Sequence, residues 1–246
     1  MAEASIDKRS VVEASMSEAA ADESSAVEAS RAEKLLARRQ PIMPTSEWLK
    51  PLPPALRFVF HGGAAARSVA GPVWGSEFSE VACRANAHAT RATLWLGPDE
   101  YLLLDWAGPP APVDSGALDA AAALTSSALE RALEGIAHAL VDISHRQFAV
   151  EVSGPHAATI LNGACPLDLD LAQFPVDMCT RTVLAKADVV LWRAQEKAFH
   201  IEVWRSFAGY VIGILGEIAA EFYLQGSSEE AAGPMHLGTN SRVRRR

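Results

Sequence analysis

The stretch HATRATLWLGPDEYLLLDW, residues 88–106, does most to limit what this chain can fold into. Two apolar runs rich in strand-forming residues are separated only by Gly-Pro-Asp-Glu, a turn sequence. They must run antiparallel, because a parallel pair needs a crossover of about a dozen or more residues. The same grammar recurs downstream. FAVEV alternates, with Phe148, Val150 and Val152 on one face. CTRTVLAKADVVLWR and AFHIEVW read as a further antiparallel pair, with Phe199, Ile201 and Val203 sharing a face. Upstream, LRFVF reads as a strand, HGG as its turn and AAARSVAG as a short helix.

Helical periodicity fills the gaps. Leu118, Ala122, Thr125, Leu129, Ile136 and Leu140 recur at helical spacing over 116–140. In SGPHAATILNG, Ser153 or Gly154 can cap, Pro155 suits the first helical position, and Asn162-Gly163 ends the element. A last helix places Phe207, Val211, Ile214, Ile218 and Phe222 on one stripe. The fold class expected is α+β, with helices packed on largely antiparallel sheets. Residues 1–44, rich in Ala, Glu and Ser, lack the bulky apolar groups that would repay ordering. They read as a disordered tail, 45–225 as the folded domain, and 226–246 as a second disordered tail.

Charge excludes several classes of function. With 22 basic and 30 acidic residues the net charge is −8, unsuited to wrapping nucleic acid or coating anionic membranes. The N-terminus has no apolar signal region, and the longest apolar run is interrupted by Glu217. A cytoplasmic protein is expected. Cys83, Cys165 and Cys179 show no C-x-x-C spacing and read as small hydrophobes in a reducing compartment.

The segment ALVDISHRQFAVEVSGPHAATILNGACPLDL gathers groups that could be catalytic. Asp142, Ser144 and His145 invite a triad reading. Yet Asp142 and Ser144 share a face while His145 points away, and no G-x-S-x-G elbow is present. The expectation is that Asp142 and Ser144 bond nearby backbone and fix the turn into FAVEV. His156 reads as exposed, and Asp168 and Asp170 as a solvated turn without a calcium motif. HGGAAAR lacks the dinucleotide fingerprint. No catalytic, cofactor or metal residues are therefore assigned. Trp192-Arg193 and Trp204-Arg205 pair the residue types most enriched at binding hot spots, and are taken as interface candidates.

Taken in order, LRFVFHGG, CRA, LWLGPDEYLLL, VDISHRQ, EVSGPHAATILN, CPLDL, MCTRTVLAKADVVLWR and EVWRSFA resemble the gamma subunits of heterotetrameric sarcosine oxidases. The likeness covers roughly Leu52–Leu224, and in fold it extends to the glycine-cleavage T-proteins, or aminomethyltransferases. It implies a complex that demethylates sarcosine to glycine, hydrogen peroxide and methylenetetrahydrofolate. It implies alpha, beta and delta subunits as partners, and places FAD, FMN, NAD and tetrahydrofolate in those partners. In the catalytic T-proteins a glycine-rich strand ends in a pair of acids. The matching LAKADVVLWR keeps Asp188, but Ala187 precedes it and no glycine is present. The resemblance thus implies an assembly role without catalysis. The alternative is a stand-alone folate-dependent one-carbon transferase acting through Asp188.

Overall fold

The computed structural model describes residues 46–106 and 115–231, without the side chains of Ser115 and 222–231. The first strand, β1 (Leu49–Pro51), is followed by β2 (Leu56–Gly62), α1 (Ala64–Trp74), β3 (Ala85–His88), β4 (Arg91–Gly97) and β5 (Glu100–Asp105). Next come α2 (Ser115–Ala132), β6 (His138–Asp142), β7 (Gln147–Ser153) and α3 (Ala157–Asn162). The chain then forms β8 (Cys179–Leu184), β9 (Ala187–Gln195), β10 (Ala198–Trp204), a 3-10 turn (Arg205–Phe207) and α4 (Ala208–Ala231). Residues 1–45, 107–114 and 232–246 lie outside the described residues, so the N-terminal tail and most of the C-terminal one do too. α4 runs into the stretch expected to begin a tail at residue 226.

Among the described residues two five-stranded sheets result, ordered β1-β7-β10-β9-β8 and β3-β4-β5-β2-β6, with every pairing antiparallel. The expected α+β class is what the chain adopts. Strand alternation explains the layering. One face of the second sheet joins Phe58, Phe60, Tyr101 and Leu103 to Trp74 of α1 and Leu118 and Leu129 of α2. Its other face sends Leu94, Leu102 and Leu104 against Cys179, Val190 and Trp192 of the first sheet. The sheets are therefore stacked, as aligned sheet packing allows. Beyond the first sheet, Phe199 meets the ring of Phe174, and Gly163 at the end of α3 lies against Ile218 of α4.

Gly62 ends β2 because nothing larger fits: a Cβ there would stand 2.7 Å from Ala66 and from the Phe60 ring. Space, rather than an unusual backbone angle, selects glycine at this strand-to-helix junction.

Several expectations need correcting. The helix read over 116–140 stops at Ala132, because Gly135 takes φ 78° and turns the chain. Ile136 lies beyond it, and Leu140 belongs to β6, paired with Phe60 of β2. Pro155 is not the first helical residue; His156 precedes the helix, and Gly154 makes the turn at φ 115°. CTRTVLAKADVVLWR is two strands, folded back at Ala185-Lys186 with Ala185 at φ 52°. β3 was not anticipated. The buried stripe of α4 is Ala208, Val211, Ile212, Leu215 and Ala219. Phe207 is exposed and Ile214 and Ile218 only half-buried, so the expected phase was off. The side chain of Phe222 lies outside the described residues.

Candidate functional site

The Asp-Ser-His cluster resolves first. The Asp142 carboxylate accepts from the Ser144 backbone N–H at 2.8 Å and from its hydroxyl at 2.6 Å. Ser144 is buried, and its Oγ accepts the Arg57 N–H at 2.9 Å. His145 turns the other way, its Nε2 2.6 Å from Asp119 Oδ1 on α2. The three are neighbours in sequence without forming a relay. Asp142 and Ser144 tie the turn to β2, as expected of side chains that compete for backbone bonds. Asp168 and Asp170 likewise accept from the backbone N–H two residues on, at 2.9 Å each. Among the described residues no group of three or more potential metal ligands comes together.

A charged cluster that the sequence did not announce sits between the sheets. Glu202 of β10 is 1% exposed. Its Oε2 accepts from Arg57 Nε at 2.7 Å, and its Oε1 lies 2.7 Å from His200 Nε2. Arg57, itself buried, also donates Nη1–H to the Ala55 carbonyl at 3.0 Å. Burial pushes the Glu202 carboxyl up, but the charges and hydrogen bonds of Arg57 and His200 outweigh that and hold it below its ordinary 4.5. At the rim, Arg181 of β8 grips Glu100 of β5 with both Nη atoms, Nη1 to Oε2 at 2.9 Å. His61 stands 3.7 Å away. Arg181's hydrogen bonds, against the opposing effect of burial, hold the Glu100 carboxyl below 4.5 as well.

Both carboxyls are depressed in the folded state, so the sign of the pH effect follows. Their stabilisation is full above the unfolded carboxylate range and is lost as pH falls through the folded values. The urea midpoint should stay level from pH 7 to near 5, then fall steadily below about 4.5. Glu202→Gln should flatten that acid limb; an unchanged slope would place the acid sensitivity elsewhere.

Between the buried cluster and the rim pair lies a cleft of about 340 Å³, lined by Val59, Leu96, Arg146, Gln147, Asp188 and Trp204 among others. Asp188 is exposed on β9 opposite Val183. The other carboxylate lining the cleft is Glu202, already bound to Arg57 and His200. Among the described residues, the Oε1 of Gln147 is buried with no hydrogen-bond partner.

The structure separates the two Trp-Arg pairs. Trp192 is 5% exposed and lies between the sheets, its ring 6.2 Å from Trp106 and 5.7 Å from His200. Arg193 is 2% exposed; it donates to the carbonyls of Leu169 and Glu196 and lies 4.5 Å over the Phe199 ring. Both side chains pack within this chain, although among the described residues Trp192 Nε1 and Arg193 Nε are buried without a hydrogen-bond partner. Trp204 is 44% exposed, with the Arg146 guanidinium 3.9 Å above its ring. Exposed Arg205 donates Nε–H to the His145 carbonyl at 3.1 Å. Phe207 and Tyr210 follow at three-residue spacing, 43% and 41% exposed. Sequence reasoning missed these two, because it assigned Phe207 to the buried side of α4. The available signal was the step of three residues from Trp204 to Phe207 and on to Tyr210.

The model of the family described as "Sarcosine oxidase, gamma subunit family" matches residues 62–221. The chain belongs to that family. It is 32% identical over 161 residues to sarcosine oxidase subunit gamma of Arthrobacter sp., covering 65% of this chain and 71% of that protein. It is 33% identical over 131 residues to the subunit of the same name from Corynebacterium sp. (strain U-96), covering 53% and 57%. Among solved structures, a chain of the heterotetrameric sarcosine oxidase from Corynebacterium sp. U-96, in complex with pyrrole 2-carboxylate, has the same fold. The TM-score is 0.60 at 24% identity, over 77% of this chain and 93% of that one. Aminomethyltransferase T of the glycine cleavage system from Bartonella henselae gives a TM-score of 0.48 at 16% identity, over 68% and 44%. Among the described residues, no helix of this family member is long and apolar enough to cross a membrane.

Proposed function

We propose that this chain serves as the gamma subunit of a sarcosine-oxidising complex, where it supports assembly and the chemistry belongs to other subunits. Its partners in this reading are alpha, beta and delta subunits, which hold FAD, FMN, NAD and tetrahydrofolate. The complex converts sarcosine to glycine, hydrogen peroxide and methylenetetrahydrofolate. The observation that carries the assembly role is the run Trp204, Phe207 and Tyr210, three large aromatics exposed at three-residue spacing, with the exposed Arg146 over Trp204 and Arg205 next to it in sequence. Aromatic and Arg side chains are what interface cores concentrate. The buried pair Trp192-Arg193 supports the folded chain, so of the interface candidates Trp204 and Arg205 are the accessible ones.

The residues of the cleft fit one-carbon transfer poorly. General acid–base work needs a carboxyl free to exchange a proton with the substrate. Glu202 is buried and bonded on both oxygens, which leaves Asp188 alone.

The test is purification of the tagged full-length chain from its native cells. The wild type should bring larger, flavin-coloured chains with it. Trp204→Ala should fold normally yet bind those chains at least about tenfold more weakly, the scale of a hot-spot truncation. A colourless single chain from the wild type would overturn the complex. Wild-type assembly by Trp204→Ala would move the interface elsewhere. Heat released on titrating the isolated chain with tetrahydrofolate would favour the transferase reading.

A further inference from the structure

One corner of the sheet stack sets two cysteines opposite each other. The chain enters β3 through Cys83 and Arg84, and β8 begins at Cys179. An isolated antiparallel bridge pairs Arg84 with Met178. It is flanked by hydrogen bonds from the Cys179 N–H to the Cys83 carbonyl at 3.0 Å and from the Ala85 N–H to the Asp177 carbonyl at 2.8 Å. That register makes Cys83 and Cys179 direct partners across the bridge. Cys83 itself leaves strand geometry at φ 58°, yet the 3.0 Å hydrogen bond from the Cys179 N–H to its carbonyl keeps the two residues adjacent. A disulfide tolerates Cα separations of about 4.4–6.8 Å, wide enough for such a neighbour.

The two thiols differ in character. Cys179 is fully buried, its Sγ 3.5 Å from the Trp95 carbonyl, and burial pushes its pKa up to about 12. It is a protonated thiol at neutral pH. Cys83 is only partly buried and holds φ 58°, a left-handed angle uncommon outside glycine. Cys165 is buried in a different setting, with its Sγ 3.8 Å from Thr182 Oγ1.

We propose that Cys83 and Cys179 are a peroxide-sensitive dithiol whose oxidation staples the two sheets at this corner. The oxidant is a hydroperoxide. The Cys83 sulfur attacks one peroxide oxygen, the O–O bond breaks, and water or an alcohol leaves; Cys83 becomes a sulfenic acid. The Cys179 sulfur then attacks the Cys83 sulfur and the S–O bond breaks. The Cys179 proton leaves with the hydroxyl as water. Two thiols give up two electrons and the peroxide is reduced. The accessible thiol reacts first and the buried one resolves it, so the second step is the slower. The inference stands independently of the chain's role in a complex.

The experiment exposes the full-length chain, alone and in the complex it purifies with, to hydrogen peroxide. It is then denatured, alkylated and digested for mass analysis. Expected is loss of two of the three alkylatable thiols, with the Cys83 and Cys179 peptides joined and released again by dithiothreitol. Cys165→Ser should leave this unchanged, and Cys83→Ser should abolish it. Cys83 carried on to sulfinic acid beside an alkylatable Cys179 would overturn the proposal. So would a link to Cys165, or three thiols surviving.

Discussion

Glu202→Ala should destabilise the folded chain by about 3–5 kcal/mol, read as a fall in the urea midpoint at unchanged slope. The cost is chiefly that of what remains. Arg57 is 2% exposed and has its Nε–H committed to Glu202 and an Nη1–H to Ala55. Without the carboxylate, a buried cation keeps one neutral carbonyl as its acceptor, while His200 loses the partner 2.7 Å away. The domain as a whole is expected to hold only about 5–15 kcal/mol. Arg57→Met should cost a similar amount by leaving the buried carboxylate without its guanidinium, with His200 still 2.7 Å away. Arg57→Met combined with Glu202→Leu should recover most of the loss, because replacing a whole buried pair by apolar groups of similar volume is often neutral or better. Single variants within about 1 kcal/mol of wild type would mean that water reaches the cluster and that the pair is not desolvated.

What made the fold legible also explains why this cluster was hidden. The hairpin at Gly97–Glu100 could be read because proline and aspartate mark turns by their own backbone chemistry, and Asp99 does take a left-handed angle, φ 59°. The turns at Ala89 and Ala185 take φ 52° as well, but alanine carries no such signal. β3 was therefore missed, and β8 and β9 were merged. β6 was lost to a coincidence of spacing: Leu140 continued a helical stripe that Gly135 had already broken. In α4, apolar residues occur around much of the helix, so the sequence pattern left the buried phase ambiguous by about a residue. Arg57 and Glu202 are 145 positions apart, and each falls on the face of its strand that a lone sheet would show to water. Only the stacking of the second sheet buries them, and that is a tertiary fact. The candidate site behaved likewise. Trp204 and Arg205 could be named from residue type, whereas the burial of Trp192 and Arg193 depended on which faces the other sheet and the 169–174 segment would cover.

Trp74→Ala should cost about 3–5 kcal/mol, the range for emptying a buried aromatic site. Trp74 closes α1 and is wholly buried, packed edge-on to Phe58 with ring centres 6.1 Å apart. Its Nε1–H donates to the Ala92 carbonyl at 3.2 Å, and the Arg91 guanidinium lies 5.0 Å from its ring. One side chain thus joins the helix to β2 and β4. Trp74→Phe keeps much of the ring volume and loses one buried hydrogen bond, so it should cost only about 1–3 kcal/mol. Trp74→Ala and Trp204→Ala separate two routes to a failed complex. Trp74→Ala should lower the yield of assembled complex by depleting the folded subunit, and cooling or higher expression should restore it. Trp204→Ala should leave the unfolding free energy within about 0.5 kcal/mol of wild type, as surface changes do. Its defect should then persist at every temperature where the chain is folded. If cooling rescued Trp204→Ala equally well, the exposed aromatic run would act through folding, and the assembly face would have to be sought on another surface.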